Sequence, residues 1–159
     1  MPPVGIVRNM EWFKIDWKGP FPIATCASKP EAKAKGIYAI YEMNGKGFAK
    51  LLYIGETFRQ NFGKRLKQHE REWLWKVKAA KLGVCFGSVH LPHRQRFTLQ
   101  RILDIEAFLI HDRIPPFNQL SKHHYKGRDI LIFHAGKIGL LDPIMTDDDE
   151  FLTLLKSHK

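Results

Sequence analysis

The stretch GIYAIYEMNGKGFAKLLYIGE, residues 36–56, decides the fold of this chain. It holds two runs rich in β-branched and aromatic residues, 36–43 and 49–56. The residues NGKG at 44–47 separate these runs and are typical of a tight turn. The stretch therefore predicts two antiparallel strands joined as a hairpin.

The turn of this hairpin sets which side chains face each other. If Gly45 and Lys46 are the two turn residues, Tyr38 lies directly opposite Tyr53 on the same face. Two adjacent phenols can bind a phosphate oxygen or a water, since each hydroxyl both donates and accepts hydrogen bonds. The alternative is a cross-strand aromatic pair that only stabilises the sheet.

The rest of the chain alternates helical and extended patterns. We expect a helix over 62–81, a third strand over 81–92 and a helix over 94–113 that ends before Pro115. The segments DILIF and KIGLL then predict a C-terminal hairpin, followed by a last helix. The order indicates an α+β fold, in which a small antiparallel sheet of about three central strands is flanked by helices.

This pattern divides the chain into three parts of one compact domain. Residues 1–35 are an N-terminal extension that packs on the core, 36–120 form the core, and 121–159 are a C-terminal extension.

The composition favours a polyanionic partner. The chain has 26 Lys and Arg against 16 Asp and Glu, for a net charge of +10. Such an excess suits nucleic acid first and an anionic membrane second, although a basic soluble protein without such a partner has the same balance. Two cysteines 59 positions apart exclude a zinc motif and a disulfide scaffold. Without a signal-peptide pattern or a long apolar run, we expect a cytoplasmic protein that does not span a membrane.

The first helix carries two polar residues on or beside its apolar stripe. Arg65 lies at the edge of this stripe and His69 lies within it, whereas most of the basic neighbours point to solvent. A partly buried guanidinium calls for an anion such as phosphate. The alternatives are an Arg65 stem lying over apolar neighbours, and a core histidine whose hydrogen bonds are satisfied. The stripe comprises Phe62, Leu66, Trp73 and Val77.

Glu106 is the strongest anomaly of the second long helix. It falls in the centre of the apolar stripe of RILDIEAFLI, residues 101–110, while Asp104 faces solvent. A buried carboxylate without a partner is costly, so Glu106 either pairs with a cation such as Arg65 or binds a hard divalent ion. After the helix, PPFN presents Asn118, which either meets a fixed partner or caps a loop.

Together these residues resemble the GIY-YIG nuclease family. The sequence has GIY at 36–38 and YIG at 53–55, and then, in the family's order, Arg65, His69, Glu106 and Asn118. The resemblance covers about residues 36–120. It implies a metal-dependent endonuclease built on a small antiparallel sheet flanked by helices.

The resemblance also implies a role for each of these residues. Glu106 would bind a single Mg²⁺ or Mn²⁺ ion, and Arg65 would stabilise the charge that develops on the phosphate. One tyrosine would activate or position the attacking water, and we expect Tyr38 to be the nearer to it, with His69 accepting its proton. Tyr53 would support the phosphate, and Asn118 would hold a phosphate or brace the site.

One departure from the family concerns phosphate contacts. Some members carry a lysine directly after YIG, where this chain has Glu56 and Thr57, so that role is unfilled or passes to Arg59 or Lys64. We expect the basic residues of this region to contact the nucleic-acid backbone, which confers affinity rather than sequence reading. These residues are Arg59, Lys64, Lys67 and Arg71.

We therefore expect an endonuclease that hydrolyses phosphodiester bonds in DNA rather than RNA. The alternative is a nucleic-acid-binding module of the same fold that does not cleave. A homodimer and a partner subunit both stay open.

Overall fold

A computed structural model describes residues 10–78, 81–92, 95–119, 125 and 129–158 of the chain, without the side chain of Trp75. Six strands and three α-helices occur in these residues, and three short 3₁₀ helices cover Cys26–Ser28, Pro30–Lys33 and Leu74–Lys76. The strands and helices are, in chain order, β1 (Glu11–Pro22), β2 (Gly36–Asn44), β3 (Gly47–Thr57), α1 (Phe62–Glu72), β4 (Leu82–His90), α2 (Leu99–Arg113), β5 (Ile130–Gly136), β6 (Ile144–Thr146) and α3 (Asp149–Ser157).

The strands form one mixed sheet in the order β3-β2-β4-β1-β5-β6. All neighbours are antiparallel except β1 and β5, which are parallel. The α+β class is confirmed, but the expectation of about three central strands is wrong. The N-terminal extension supplies β1, which lies between β4 and β5, and the C-terminal extension supplies β5 and β6. Both extensions are thus parts of the sheet.

Both faces of the β3-β2-β4 end of the sheet are buried, which explains the nearly continuous apolar run of β2. Ile37 and Ala39 of β2 pack with Ile102 and Ile105 of α2 on one face. On the other face, the alternate β2 residues pack with residues of α1; this cluster includes Tyr38, Ile40, Phe62 and Leu66. The two helices therefore cover opposite faces, and β3 is the edge strand between them.

The predicted register of the hairpin is wrong. Asn44 pairs with Gly47 at the turn, but two irregularities then shift the ladder, so Tyr38 pairs with Gly55 and Tyr53 pairs with Ile40. The observed pairing is shifted by two residues from the predicted one. Because side chains alternate between the two faces of a strand with a period of two, this shift keeps each side chain on its predicted face. Tyr38 and Tyr53 consequently remain on the same face as diagonal neighbours.

The helix limits also differ from the sequence pattern. The helix expected over 62–81 ends at Glu72, because Trp73 leaves the helical conformation with φ −149°. The helix expected from 94 begins at Leu99, where the Thr98 side chain accepts a hydrogen bond from Arg101 N. KIGLL is a turn and not a strand, since Gly139 has a φ of 61°, and Ile144–Thr146 pairs with β5 instead.

Cys26 and Cys85 are both buried free thiols. Among the described helices, none combines the length and apolar character that a membrane crossing requires.

Candidate active site

The residues singled out from the sequence converge where α1 and α2 approach the β3 edge. Tyr53 projects from β3, Arg65 from α1 and Glu106 from α2, and all three line a cleft with two arms. The arms have volumes of about 380 and 510 Å³, and the three side chains border both. A phenol, a guanidinium and a carboxylate, far apart in sequence, therefore face one space.

Behind this cleft lies a cluster of aromatic rings. The rings of Tyr38 and Tyr53 stack with centroids 6.0 Å apart, and the His69 ring lies 4.6 Å from that of Tyr53. Tyr38 and His69 are fully buried, at 0% and 1% exposure, whereas Tyr53 is half-buried and borders the cleft. Of the two tyrosines, only Tyr53 lines these arms of the cleft.

The hydrogen bonds of His69 define its tautomer. Trp73 Nε1, which can only donate, lies 3.0 Å from His69 Nδ1. Burial, reinforced by the charge of Arg65, lowers the pKa of His69 to about 4, so the ring is neutral at pH 7. Nδ1 must then be the acceptor, although Glu72 Oε2 lies 3.4 Å from it. The proton of the neutral ring is therefore on Nε2.

This tautomer sets the direction of the next hydrogen bond. His69 Nε2 and the Tyr38 hydroxyl oxygen are 2.5 Å apart, so the imidazole donates and the phenol accepts. His69 in this state cannot accept a proton from Tyr38, and the pattern argues against that part of the sequence-based hypothesis. The Tyr38 hydroxyl is then left to donate its own proton, and the neighbouring phenol is that of Tyr53, whose ring stacks on Tyr38.

The surroundings of Tyr38 and Tyr53 shift the pKa values of the two phenols to different extents. Burial raises the pKa of Tyr38 well above its ordinary value, and Tyr53 raises it further by charge and hydrogen bonding. Burial also raises the pKa of Tyr53, but the charge of Arg65 and hydrogen bonds from Arg65 and Tyr38 act in the opposite direction. A phenolate is therefore less unfavourable at Tyr53 than at Tyr38.

Arg65 is held at the cleft by its own helix. Its Nη1 donates to Gln68 Oε1 at 2.8 Å and lies 3.9 Å from Glu72 Oε1. The side chain is 27% exposed, so the guanidinium is only partly desolvated and keeps donors available to the cleft. It interacts with both Tyr53 and Glu106 through charge.

Glu106 is half-buried rather than fully buried, because its carboxylate reaches the cleft. Burial, together with the negative charge of Glu56, raises its pKa to about 8, while Arg65 lowers it. No cation among the described residues lies within 4 Å of this carboxylate; the ion-pair partner of Arg65 is Glu72. A structural Arg65–Glu106 salt bridge, the alternative left open above, is therefore not formed.

Glu56 is a residue whose importance the sequence did not reveal. It lies near the end of β3 and lines the 380 Å³ arm together with Glu106. Its Oε2 atom is buried and has no hydrogen-bond partner. The sequence signal for it was only a carboxylate at the end of an apolar strand, directly after the YIG motif.

Trp73 was also missed as a functional residue, since the helical pattern placed it among the apolar side chains. Its ring stacks on Phe117 at 4.6 Å while its indole nitrogen bonds to His69. It thereby joins the aromatic cluster to the loop that follows α2.

Asn118 braces the edge of the sheet. Its Oδ1 accepts from Ile54 N at 2.9 Å and its Nδ2 donates to Ile54 O at 2.8 Å. The side chain, 4% exposed, therefore pairs with β3 as a neighbouring strand would. Because both bonds are directed at the backbone, the geometry supports the bracing role over the phosphate-holding role.

The basic residues expected to contact nucleic acid are exposed in every case. Arg59 lines the 380 Å³ arm of the cleft, and the other three belong to α1. These three are Lys64, Lys67 and Arg71.

The donor set at the cleft consists of carboxylate oxygens. Within the ranges that the structure describes, no group of three or more His, Cys, Asp or Glu side chains is arranged to hold a metal ion. Mg²⁺ does not need such a group, because it commonly takes one or two protein carboxylates and completes its shell with water and phosphate. The unpaired carboxylate of Glu106 fits such an ion.

Comparisons with known proteins add no further assignment: no protein-family model, no curated protein and no solved structure matches this chain.

Proposed function

We propose that this protein is a divalent-metal-dependent endonuclease that hydrolyses phosphodiester bonds in DNA through a GIY-YIG-like active site. The observation that carries the proposal is the convergence of Tyr53, Arg65 and Glu106 from three separate elements on one cleft. A phenol, a guanidinium and an unpaired carboxylate are the groups that water activation, phosphate binding and a hard cation require.

Glu106 would hold the ion, one Mg²⁺ or Mn²⁺. When bound, that ion would supply Lewis-acid polarisation of the phosphate or a more acidic water. The carboxylate is available for this role because no cation of the described side chains lies within 4 Å of it and because it borders both arms of the cleft.

Tyr53, rather than Tyr38, is the phenol that we assign to the attacking water. It borders the cleft, and the positive charge of Arg65 favours negative charge on its oxygen. Tyr38 and His69 are positioning residues in this scheme. His69 donates to Tyr38, so the Tyr38 hydroxyl is free to donate to Tyr53.

Arg65 would bind the phosphate and stabilise its negative charge in the transition state. A guanidinium that already has one neighbouring acceptor, Gln68, is held in orientation while its other N–H groups stay available. Asn118 contributes by fixing the β3 backbone directly beside Tyr53.

The nucleic-acid backbone would run over the exposed bases next to the cleft. A net charge of +10 and four exposed bases around the cleft and α1 favour phosphate contacts that weaken with salt. DNA rather than RNA, action in the cytoplasm, and a homodimer or a partner subunit are parts of this proposal that need separate experiments. The bases in question are Arg59, Lys64, Lys67 and Arg71.

Nicking of supercoiled plasmid tests the proposal. Purified protein is incubated with Mg²⁺, with Mn²⁺ or with EDTA, beside the variants Glu106→Gln and Arg65→Lys. Glu70→Gln is a matched control, since Glu70 is an exposed carboxylate of α1. We expect metal-dependent nicking that both site variants lose, and that Glu70→Gln retains.

Two results would contradict the proposal. Nicking that survives Glu106→Gln would exclude this carboxylate as the essential metal ligand. Salt-sensitive DNA binding without cleavage of plasmid, branched or single-stranded substrates would favour the non-cleaving binding module.

A further inference from the structure

Glu56 shares the 380 Å³ arm of the cleft with Glu106. The two residues reach it from different elements, Glu56 from β3 and Glu106 from α2. The negative charge of Glu56 acts directly on Glu106. Two carboxylates therefore line the arm of the cleft where the proposed function puts one ion.

The surroundings of Glu56 leave its charge uncompensated. Its Oε2 atom is inaccessible to water and accepts no hydrogen bond, and the described side chains offer no cation within 4 Å of its carboxylate. A carboxylate oxygen removed from water without a partner is unfavourable, and a second carboxylate nearby adds repulsion. The described side chains thus leave this carboxylate oxygen without a partner.

We propose that Glu56 is a second carboxylate ligand of the same divalent cation that Glu106 binds. This inference rests on the proposed function, because it concerns the ion of that site, and it extends the single-glutamate site that the family resemblance implies. Two carboxylates from different elements match the donor set of Mg²⁺ or Mn²⁺, with water and phosphate in the remaining positions. The position after YIG, where some members of the GIY-YIG family have a phosphate-binding lysine, would then supply a metal ligand.

An ion pair with Arg59 is the competing explanation. Arg59 lines the same arm and is exposed, so its long side chain could turn towards Glu56 when the protein is in solution. In that case Glu56 would affect the phosphate contacts of Arg59 and leave the affinity for metal unchanged. The two explanations differ in a measurement made without nucleic acid.

Binding of Mn²⁺ to the full chain without nucleic acid tests the inference. Free Mn²⁺ is followed by electron paramagnetic resonance during titration of wild type, Glu56→Gln, Glu106→Gln and the control Glu70→Gln. We expect one ion per chain, a loss of affinity of about tenfold or more in each site variant, and affinity within about twofold of wild type in the control. Arg59→Ala should bind Mn²⁺ at least as tightly as wild type.

Thermal unfolding gives a second readout that does not depend on catalysis. In EDTA, Glu56→Gln should be at least as stable as wild type, because the substitution removes the repulsion between the two carboxylates. Mn²⁺ at about ten times the wild-type Kd should raise the Tm of wild type clearly and that of Glu56→Gln much less. A variant that merely failed to fold would be recognised by its low Tm in EDTA.

Wild-type affinity for Mn²⁺ in Glu56→Gln overturns the inference, and so does a wild-type chain that binds no Mn²⁺ at all. Failure of the proposed function has a different signature: Mn²⁺ binding that needs both carboxylates, in a protein that cleaves no nucleic acid. Wild-type affinity in Glu56→Gln leaves the proposed nuclease intact, and binding without cleavage leaves the two-carboxylate site intact.

Discussion

Replacement of Glu106 by Gln should stabilise the metal-free protein at alkaline pH while abolishing its activity. Burial and the nearby Glu56 raise the pKa of Glu106 from 4.5 to about 8 in the folded state. Between these values the folded chain keeps a proton that the unfolded chain has released, so the free energy of unfolding falls as pH rises. Glutamine resembles the protonated carboxyl and is free of this penalty.

The size of the effect follows from the pKa change. A rise from 4.5 to about 8, at about 1.4 kcal/mol per pH unit, sets an upper limit of about 5 kcal/mol. Because the carboxylate reaches the solvent-filled cleft, screening reduces this, and we expect about 2–3 kcal/mol at pH 9. The difference between variant and wild type should be close to zero at pH 4 and grow steadily above pH 5.

Urea unfolding in EDTA at pH values from 4 to 9 measures this difference directly. Groups common to both proteins cancel, and Glu70→Gln serves as the control at an exposed carboxylate of α1. Addition of Mn²⁺ at pH 8 should reverse the order, since only wild type gains binding energy. A difference that is independent of pH, or that grows as pH falls, would refute the reasoning about Glu106.

Three further substitutions probe the surroundings of the site. Gly55→Ala should destabilise the fold by about 1–3 kcal/mol in urea unfolding, because a Cβ would come 2.7 Å from Cε1 of the packed Tyr38 ring. Asn118→Ala removes two buried hydrogen bonds from the β3 edge and should cost about 2–4 kcal/mol by the same measurement. Nitrogen-15 NMR should show His69 protonated on Nε2 in wild type, and Trp73→Phe should shift the proton towards Nδ1, because the indole donor is lost.

Each of these predictions has a matched control. Gly45→Ala should be nearly neutral, because a Cβ at Gly45 meets nothing within 4 Å, and equal costs at both glycines would contradict the packing argument. Gln119→Ala alters an exposed neighbour of Asn118, so a loss of the same size there would assign the effect to the loop. Trp12→Phe should leave the His69 signals unchanged, and wild-type protein protonated on Nδ1 would exclude the proposed direction of the hydrogen bonds.

Local sequence signals were sufficient for the elements that turns and caps define. NGKG, with Asn44 and Gly47 paired at its ends, located the hairpin, and the apolar pattern of residues 101–110 located α2. The position of Glu106 on the inner side of α2 also followed from helical periodicity alone. Local periodicity is set by the geometry of the backbone, so it can be read without knowledge of distant contacts.

The end of α1 and the number of strands could not be predicted from local sequence patterns, because both depend on contacts between residues that are distant in sequence. α1 ends at Glu72 because the Trp73 side chain leaves the helix to bond His69 and to stack on Phe117, 44 positions later in the chain. β1 falls in the segment predicted only as an N-terminal extension that packs on the core, since its partners β4 and β5 come much later in sequence. Pairing with distant strands overrides weak local preference in both cases.

The sequence by itself predicted the α+β class and nominated Tyr38, Tyr53, Arg65 and Glu106 as candidate site residues. Tertiary structure alone decided their relations: the register that places Tyr38 over Gly55, the indole that directs the His69 proton, and the arm of the cleft that Glu56 shares with Glu106. The physical reason is that hydrogen-bond direction and charge repulsion depend on distances of a few ångströms between separate elements. Such distances are set by packing, after the local elements have formed.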